Sequence, residues 1–205
     1  MKYFNILGID QGLASCGYGV ISFKRLKSGE VKFHKVLDYG VITTTSKERT
    51  PDRLVYIHNR IIELVDKYQP ETIACERLFV SPKQKADNRN KSASIVTTNM
   101  VTGIVVYIAG EKNLKFRDFV PSSVKKIITG NGKAQKEDII NAIPKLMNLD
   151  EGVVKIEHQA DALSIAYTAA LKKEEDDDSK TKTKSKTSKK KKDEEKTESE
   201  VKDIE

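Results

Sequence analysis

Cysteine is scarce in this 205-residue chain: Cys16 and Cys75 are the whole complement. Neither sits in a C-x-x-C pair, so a thiolate metal site of that spacing is excluded, and a chain this long does not need a disulfide staple. Long apolar runs are also missing. No stretch approaches the ~18 apolar residues that a membrane-crossing helix takes, and the first residues lack the apolar core of an export signal. The expectation is a soluble, cytoplasmic protein in a reducing compartment, with no membrane partner. A third scarcity is local. Residues 172–205 hold only Val201 and Ile204 as apolar side chains among Lys, Glu, Asp, Ser and Thr. Such a segment cannot bury enough surface to offset the entropy of ordering, so it reads as a disordered charged tail behind one domain, residues 1–171.

Charge separates the two parts further. The tail's 12 lysines balance its 12 carboxylates, so the net charge of +7 falls on residues 1–171. A basic folded body favours a polyanion such as nucleic acid. The lysine run 189–192 would add non-specific affinity of the same kind.

The apolar pattern predicts five strands and five helices. Residues 3–10 form an apolar run ending in Gly8-Ile9-Asp10; residues 17–23 and 31–44 are β-prone and joined by short turns, as in an antiparallel meander. Thr50-Pro51 offers an N-cap and a first-turn proline, and Leu54, Ile57, Ile61, Leu64 and Val65 recur at helical spacing up to about Tyr68. Residues 72–76 read as a buried strand, 81–91 as a polar loop, 92–109 as a helix and 114–120 as a strand. Helices follow over 121–128, over 136–147 with Pro144 ending or kinking it, and over 157–171, where Leu163, Ala166 and Ala170 share a face. Strands first, then alternating strands and helices, predict a three-layer α/β fold: a mixed five-stranded sheet with helices on both faces.

Chemistry concentrates in four residues. Asp10 and Glu76 end otherwise apolar strands, where a carboxylate needs solvent or a cation, and the carboxyl ends of strands are where α/β sheets gather functional groups. Asp161 lies near the start of the last helix with His158 three residues earlier on the same face. Asp10, Glu76, His158 and Asp161 are the donor set that two hard divalent ions would take, Mg²⁺ or Mn²⁺, for phosphodiester hydrolysis. Other readings stand beside this one. Asp10 could cap Gly12, Glu76 could pair with Arg77 or a lysine, and Asp161 could serve the helix dipole. Spacing does not prove that the four converge. Lys83, Lys85, Arg89 and Lys91 form a basic stretch after Glu76 that would hold phosphates or simply be solvated. Phe79 would be core on its own.

Several segments together resemble the RuvC Holliday-junction resolvase family: Ile6-Leu7-Gly8-Ile9-Asp10-Gln11-Gly12 followed by Gly17-Tyr18-Gly19-Val20-Ile21; Asp38-Tyr39-Gly40-Val41-Ile42; Ala74-Cys75-Glu76-Arg77-Leu78-Phe79; Val124-Lys125-Lys126 with Thr129-Gly130-Asn131-Gly132-Lys133-Ala134-Gln135-Lys136; and Asp161-Ala162-Leu163-Ser164-Ile165-Ala166. They occur in the family's order. Gln11 stands where the family usually has proline, and Asn99-Met100-Val101-Thr102-Gly103 where it has Gln-Ala-Arg-Gly. The resemblance implies a ribonuclease H-like fold, a homodimer, and paired symmetric nicking of four-way junction DNA in recombination and repair, with branch-migration proteins as further partners. It assigns the catalytic and metal-ligand roles to Asp10, Glu76, His158 and Asp161, with about two Mg²⁺ or Mn²⁺ ions per subunit. Glu157, one turn before Asp161, competes for a ligand place. Phe79 becomes a wedge stacking on a junction base. Lys125 and Lys136 become DNA contacts beside Lys83, Lys85 and Arg89; Lys125 and Lys126, as neighbours, cannot both face the DNA. The helix over 92–109 is the candidate dimer interface. Two alternatives remain: a nuclease for flaps or forks, and a structure-specific DNA-binding dimer with little cleavage.

Overall fold

A computed structural model describes residues 2–77 and 89–172. The elements run β1 (Lys2–Asp10), β2 (Ser15–Arg25), β3 (Val31–Thr43), α1 (Thr50–Tyr68), β4 (Thr72–Glu76), α2 (Arg89–Glu111), β5 (Lys115–Phe119), α3 (Pro121–Thr129), α4 (Lys136–Leu146) and α5 (Glu157–Leu171). The five strands form one mixed sheet in the order β3-β2-β1-β4-β5. β1, β2 and β3 pair antiparallel, while β1–β4 and β4–β5 are parallel. The charged tail and the stretch holding Phe79, Lys83 and Lys85 lie outside the described residues.

Strand alternation sorts the side chains into two cores. Phe4 and Ile6 of β1, Ile21 and Phe23 of β2, and Ala74 of β4 pack against α3, α4 and α5. Leu7 and Ile9, Val20, Ile73 and Cys75 point the other way, onto α1 and α2. Helices therefore cover both faces, as the pattern predicts. In α1 the spacing holds: Ile57, Ile61, Leu64 and Val65 are buried, each contributing about 1.5–3 kcal/mol if fully removed from water. Both cysteines are buried, and desolvation pushes their thiols up to about 12, so neither acts as a nucleophile. Among the described residues no helix is long and apolar enough to cross a membrane.

Three expectations need correction. Thr50 is not the N-cap of α1: the first helical bond runs from Arg53 N–H to Arg49 C=O, so Arg49 takes that position, without a side-chain cap. Its guanidinium instead grips Asp52 in the first turn. The loop expected over 81–91 ends early, because α2 already starts at Arg89. Arg and Lys are good helix formers, and nothing between residues 89 and 92 breaks the helix. α5 is buried far beyond one face, including Ala160, Ala162, Ser164, Ile165 and Thr168, because it is sandwiched between the sheet and the α3–α4 layer. Pro144 lies inside α4, which stops two residues later at Leu146.

Candidate active site

The same alternation decides where the carboxylates point. Asp10 shares its parity with Phe4 and Ile6, and Glu76 shares its parity with Ala74, so both face α5. The β1–β4 register, last paired at Ile9 and Cys75, leaves Asp10 and Glu76 next to each other at the carboxyl ends of two adjacent parallel strands. Glycine brings α5 onto them. A Cβ on Gly8 would stand 2.2 Å from the carbonyl oxygen of Ala162, and one on Gly17 2.0 Å from that of His158. Only side-chain-free positions let the helix backbone come this close to the sheet. The result places His158 and Asp161 over the end of β1.

There His158 Nδ1 lies 2.6 Å from Asp10 Oδ2. A carboxylate accepts only, so Nδ1–H is the donor in this contact. Burial, followed by repulsion from Asp10 and Asp161, lifts Glu76 to about 7, while Lys125 works against the rise. Burial, then repulsion from Asp10 and Glu157, lifts Asp161 to about 6, opposed by His158 and Lys136. Asp10 is also raised by burial, against the hydrogen bond from His158. Three half-buried carboxyl groups that repel one another, with few compensating cations, hold their protons more tightly than free ones do.

Three of the competing readings of these residues do not fit, while a lysine, Lys125, does act on Glu76. Asp10 bonds His158 rather than capping its turn. Arg77 pairs with Asp118, its Nε 3.0 Å from Asp118 Oδ2, rather than with Glu76. Asp161 is the fifth residue of α5, past the first turn. Of the expected DNA contacts, Lys125 is half-buried beside Glu76, its Nζ donating to the carbonyl of Ala134 at 2.7 Å. Lys126 is exposed, so the two neighbours do diverge. Lys136 sits on the rim and pairs with Glu157 at 2.5 Å, which occupies that carboxylate. Arg89 opens α2.

One residue that stands out in the sequence only as a departure from the family pattern has a defined position here. Gln11 is buried, and its amide clamps the main chain of Glu76: Nε2 donates to the Glu76 carbonyl (2.5 Å) and Oε1 accepts from the Glu76 N–H (3.2 Å). The side chain thus continues the β1–β4 ladder one step past its end. No local signal reveals this, since the partner is 65 residues away. We expect Gln11→Ala to cost about 1–3 kcal/mol through the orphaned Glu76 backbone groups, measured as a lower Tm. An unchanged Tm would mean that the clamp adds nothing to the fold.

Both the sequence and the fold match known proteins. A family model described as crossover junction endodeoxyribonuclease RuvC matches residues 6–169. The protein of that description from Alkaliphilus metalliredigens is 36% identical over 161 residues, 78% of this chain and 89% of its own. That from Orientia tsutsugamushi (strain Ikeda) is 35% identical over 169 residues, 82% of this chain and 96% of its own. Among solved structures, Thermus thermophilus RuvC in complex with Holliday junction substrate aligns with a TM-score of 0.66 at 27% identity, covering 80% of this chain and 92% of that one. The yeast mitochondrial Holliday junction resolvase Ydc2, at 16% identity and a TM-score of 0.51 over 80% of this chain and 76% of its own, shares the fold alone. The ribonuclease H-like α/β architecture expected from the motifs is therefore the one present. With matches running from the first strand to the last helix, this chain belongs to the RuvC family of crossover junction endodeoxyribonucleases.

Proposed function

We propose that this chain resolves four-way DNA junctions by metal-dependent phosphodiester hydrolysis, nicking paired strands symmetrically as a homodimer. The observation that carries the reading is the pit of Asp10, Glu76 and Asp161, with His158 at its edge, at the carboxyl ends of β1 and β4. Its donors fit a divalent ion by chemistry: hard oxygen groups, and charge repulsion that a cation relieves. As the side chains stand, Asp10 is turned to His158, and no three His, Cys, Asp or Glu groups among the described residues form a closed cage. Asp10, Glu76 and Asp161 would hold the ions, about two of them, with His158 through Nε2. Bound Mg²⁺ or Mn²⁺ would neutralise charge building on the phosphate.

The chain's own groups do the rest. His158 Nδ1–H fixes the orientation of the Asp10 carboxylate. Gln11 holds the Glu76 backbone. Lys125, beside Glu76, presents positive charge toward a phosphate entering the pit. Two symmetric copies would cut two strands at equivalent positions. Val96, Met100 and Tyr107 follow one exposed stripe of α2, with Tyr56 of α1 exposed as well. An apolar stripe of this kind suits burial against a second copy, in line with α2 as the interface.

The metal reading has a pH signature. Glu76 and Asp161 must shed protons at about 7 and about 6 before they bind a cation. The Mg²⁺ concentration giving half-maximal thermal stabilisation should therefore fall as the solution is taken from mildly acid to mildly alkaline. A midpoint independent of pH would remove these two residues from the ligand set.

The direct test is cutting of a synthetic four-way junction, with flap and linear duplex controls, in Mg²⁺ and in Mn²⁺, alongside sedimentation equilibrium of the protein. Paired symmetric nicks on the junction alone, from a dimer, support the proposal. Cutting confined to flaps or forks would keep the chemistry and change the substrate, and binding without cutting in either metal would overturn the enzymatic reading.

A further inference from the structure

A cleft of about 380 Å³ adjoins the acidic pit on its other side, with His158 as the shared wall. The β1–β2 turn (12–15) forms its floor, Arg53 of α1 one side, and Thr97 and Thr98 of α2 the other. Arg53 is held in place from behind. Its Nε donates to Thr44 Oγ1 at 2.8 Å, while Thr44 binds the turn through Oγ1 to the Leu13 carbonyl (2.5 Å) and through its N–H to the Ala14 carbonyl (3.0 Å). One guanidinium nitrogen thus fixes the group, and the two terminal amino groups remain for another partner. Arg49, Arg60 and Arg77 each pair with a carboxylate. Among the described residues Arg53 pairs with none. A half-buried arginine without a counter-ion, surrounded by hydroxyls, is an anion site, and its planar fork matches the oxygens of a phosphate.

We infer that this cleft is a phosphate subsite, which takes a backbone phosphodiester of the strand whose neighbouring linkage lies at the acidic pit, with Arg53 as its cation. The inference rests on the junction-cutting reading above and adds a second grip to it. Lys125 reaches the pit from the α3 layer, and Arg53 from the α1 layer on the opposite face of the sheet. The strand is held from both layers across the end of β1.

The test is junction binding by the full chain across a salt series, in an Asp10→Asn background that blocks cutting. Arg53→Gln keeps a donor for Thr44 and loses the charge; Arg53→Lys keeps the charge; Lys24→Gln, roughly 30 Å along β2 from Ser15, controls for net charge. Each phosphate that the protein no longer neutralises lowers the slope of log affinity against log salt by about 0.9. We expect that decrease in Arg53→Gln, its recovery in Arg53→Lys, and a wild-type slope in Lys24→Gln. A wild-type slope in Arg53→Gln at unchanged Tm would overturn the inference and leave Arg53 as a clamp on the turn. A second measurement does not depend on how the variants fold. Junctions carrying one neutral methylphosphonate at a time are titrated with the unaltered Arg53 protein. A position flanking the cut linkage where neutralisation lowers the slope supports the subsite, and no such position overturns it. Failure of the parent reading looks different: the salt slopes would behave as expected while the wild type cut no junction.

Discussion

Glu76→Gln is expected to reduce junction cutting by roughly 10²–10³-fold or more, the scale of losing one group that stabilises transition-state charge, with junction binding unchanged or tighter. The amide is isosteric, so the Gln11 clamp on the main chain of residue 76 survives. The same variant should be more stable than wild type without divalent ions at pH 8. The sign follows from linkage. The Glu76 carboxyl is lifted from 4.5 to about 7 in the folded state, first by burial and then by Asp10 and Asp161, so the native form binds the proton more tightly than the unfolded chain. Stability then falls as pH rises through that window. Removing the charge recovers the loss above pH 7 and makes little difference below 4.5. In a domain of this size ~1 kcal/mol moves the Tm by about 2–4 °C, so melting curves at pH 4.5 and pH 8 resolve the effect. A variant that still cuts at the wild-type rate would remove Glu76 from the site. A variant less stable than wild type at pH 8 would mean that the repulsion is already relieved within the fold.

Gly17→Ala should be the most disruptive single-methyl change in the protein. The added Cβ would lie 2.0 Å from the His158 carbonyl oxygen and 2.7 Å from its carbon. Both are backbone atoms of a helix packed on two sides, so no side chain can swing away. Overpacking costs about 1–3 kcal/mol where side chains can adjust; here the upper end is expected, a Tm decrease of roughly 6–12 °C. The strain is relieved by lifting α5 off β2, which carries His158 and Asp161 away from Asp10 together. Cutting should therefore fail at temperatures where the fold persists. Gly110→Ala is the control: a Cβ there meets nothing within 4 Å, and alanine is the better helix residue by about 0.8–1 kcal/mol. If Gly17→Ala melted with the wild type, the seating of α5 on the sheet as described would be wrong.

These glycines mark the boundary between what sequence reading reaches and what it does not. The strands are legible because each is a short apolar run, and α1 because its buried residues repeat every three or four positions. Asp10 and Glu76 stand out as carboxylates ending apolar strands. Gly8 and Gly17 read only as parts of a motif, because the atoms they make room for belong to Ala162 and His158, more than 140 residues further on. α5 looks one-sided because Leu163, Ala166 and Ala170 repeat at helical spacing, while its alanines on other faces give no sign that a second layer of helices covers them.

The three-layer α/β class, the family and the candidate carboxylates as residue types ending apolar strands all follow from the order of amino acids. Each of these depends on neighbours along the chain or on residue type. Long-range packing sets the rest: His158 Nδ1 meets Asp10, Gln11 extends the β1–β4 ladder to hold Glu76, Arg77 turns to Asp118, and Arg53 lines a cleft beside the pit. Those contacts join segments tens to well over a hundred residues apart. Their geometry comes from strand register and from how closely a helix can approach glycine, and neither is encoded in any one stretch of chain.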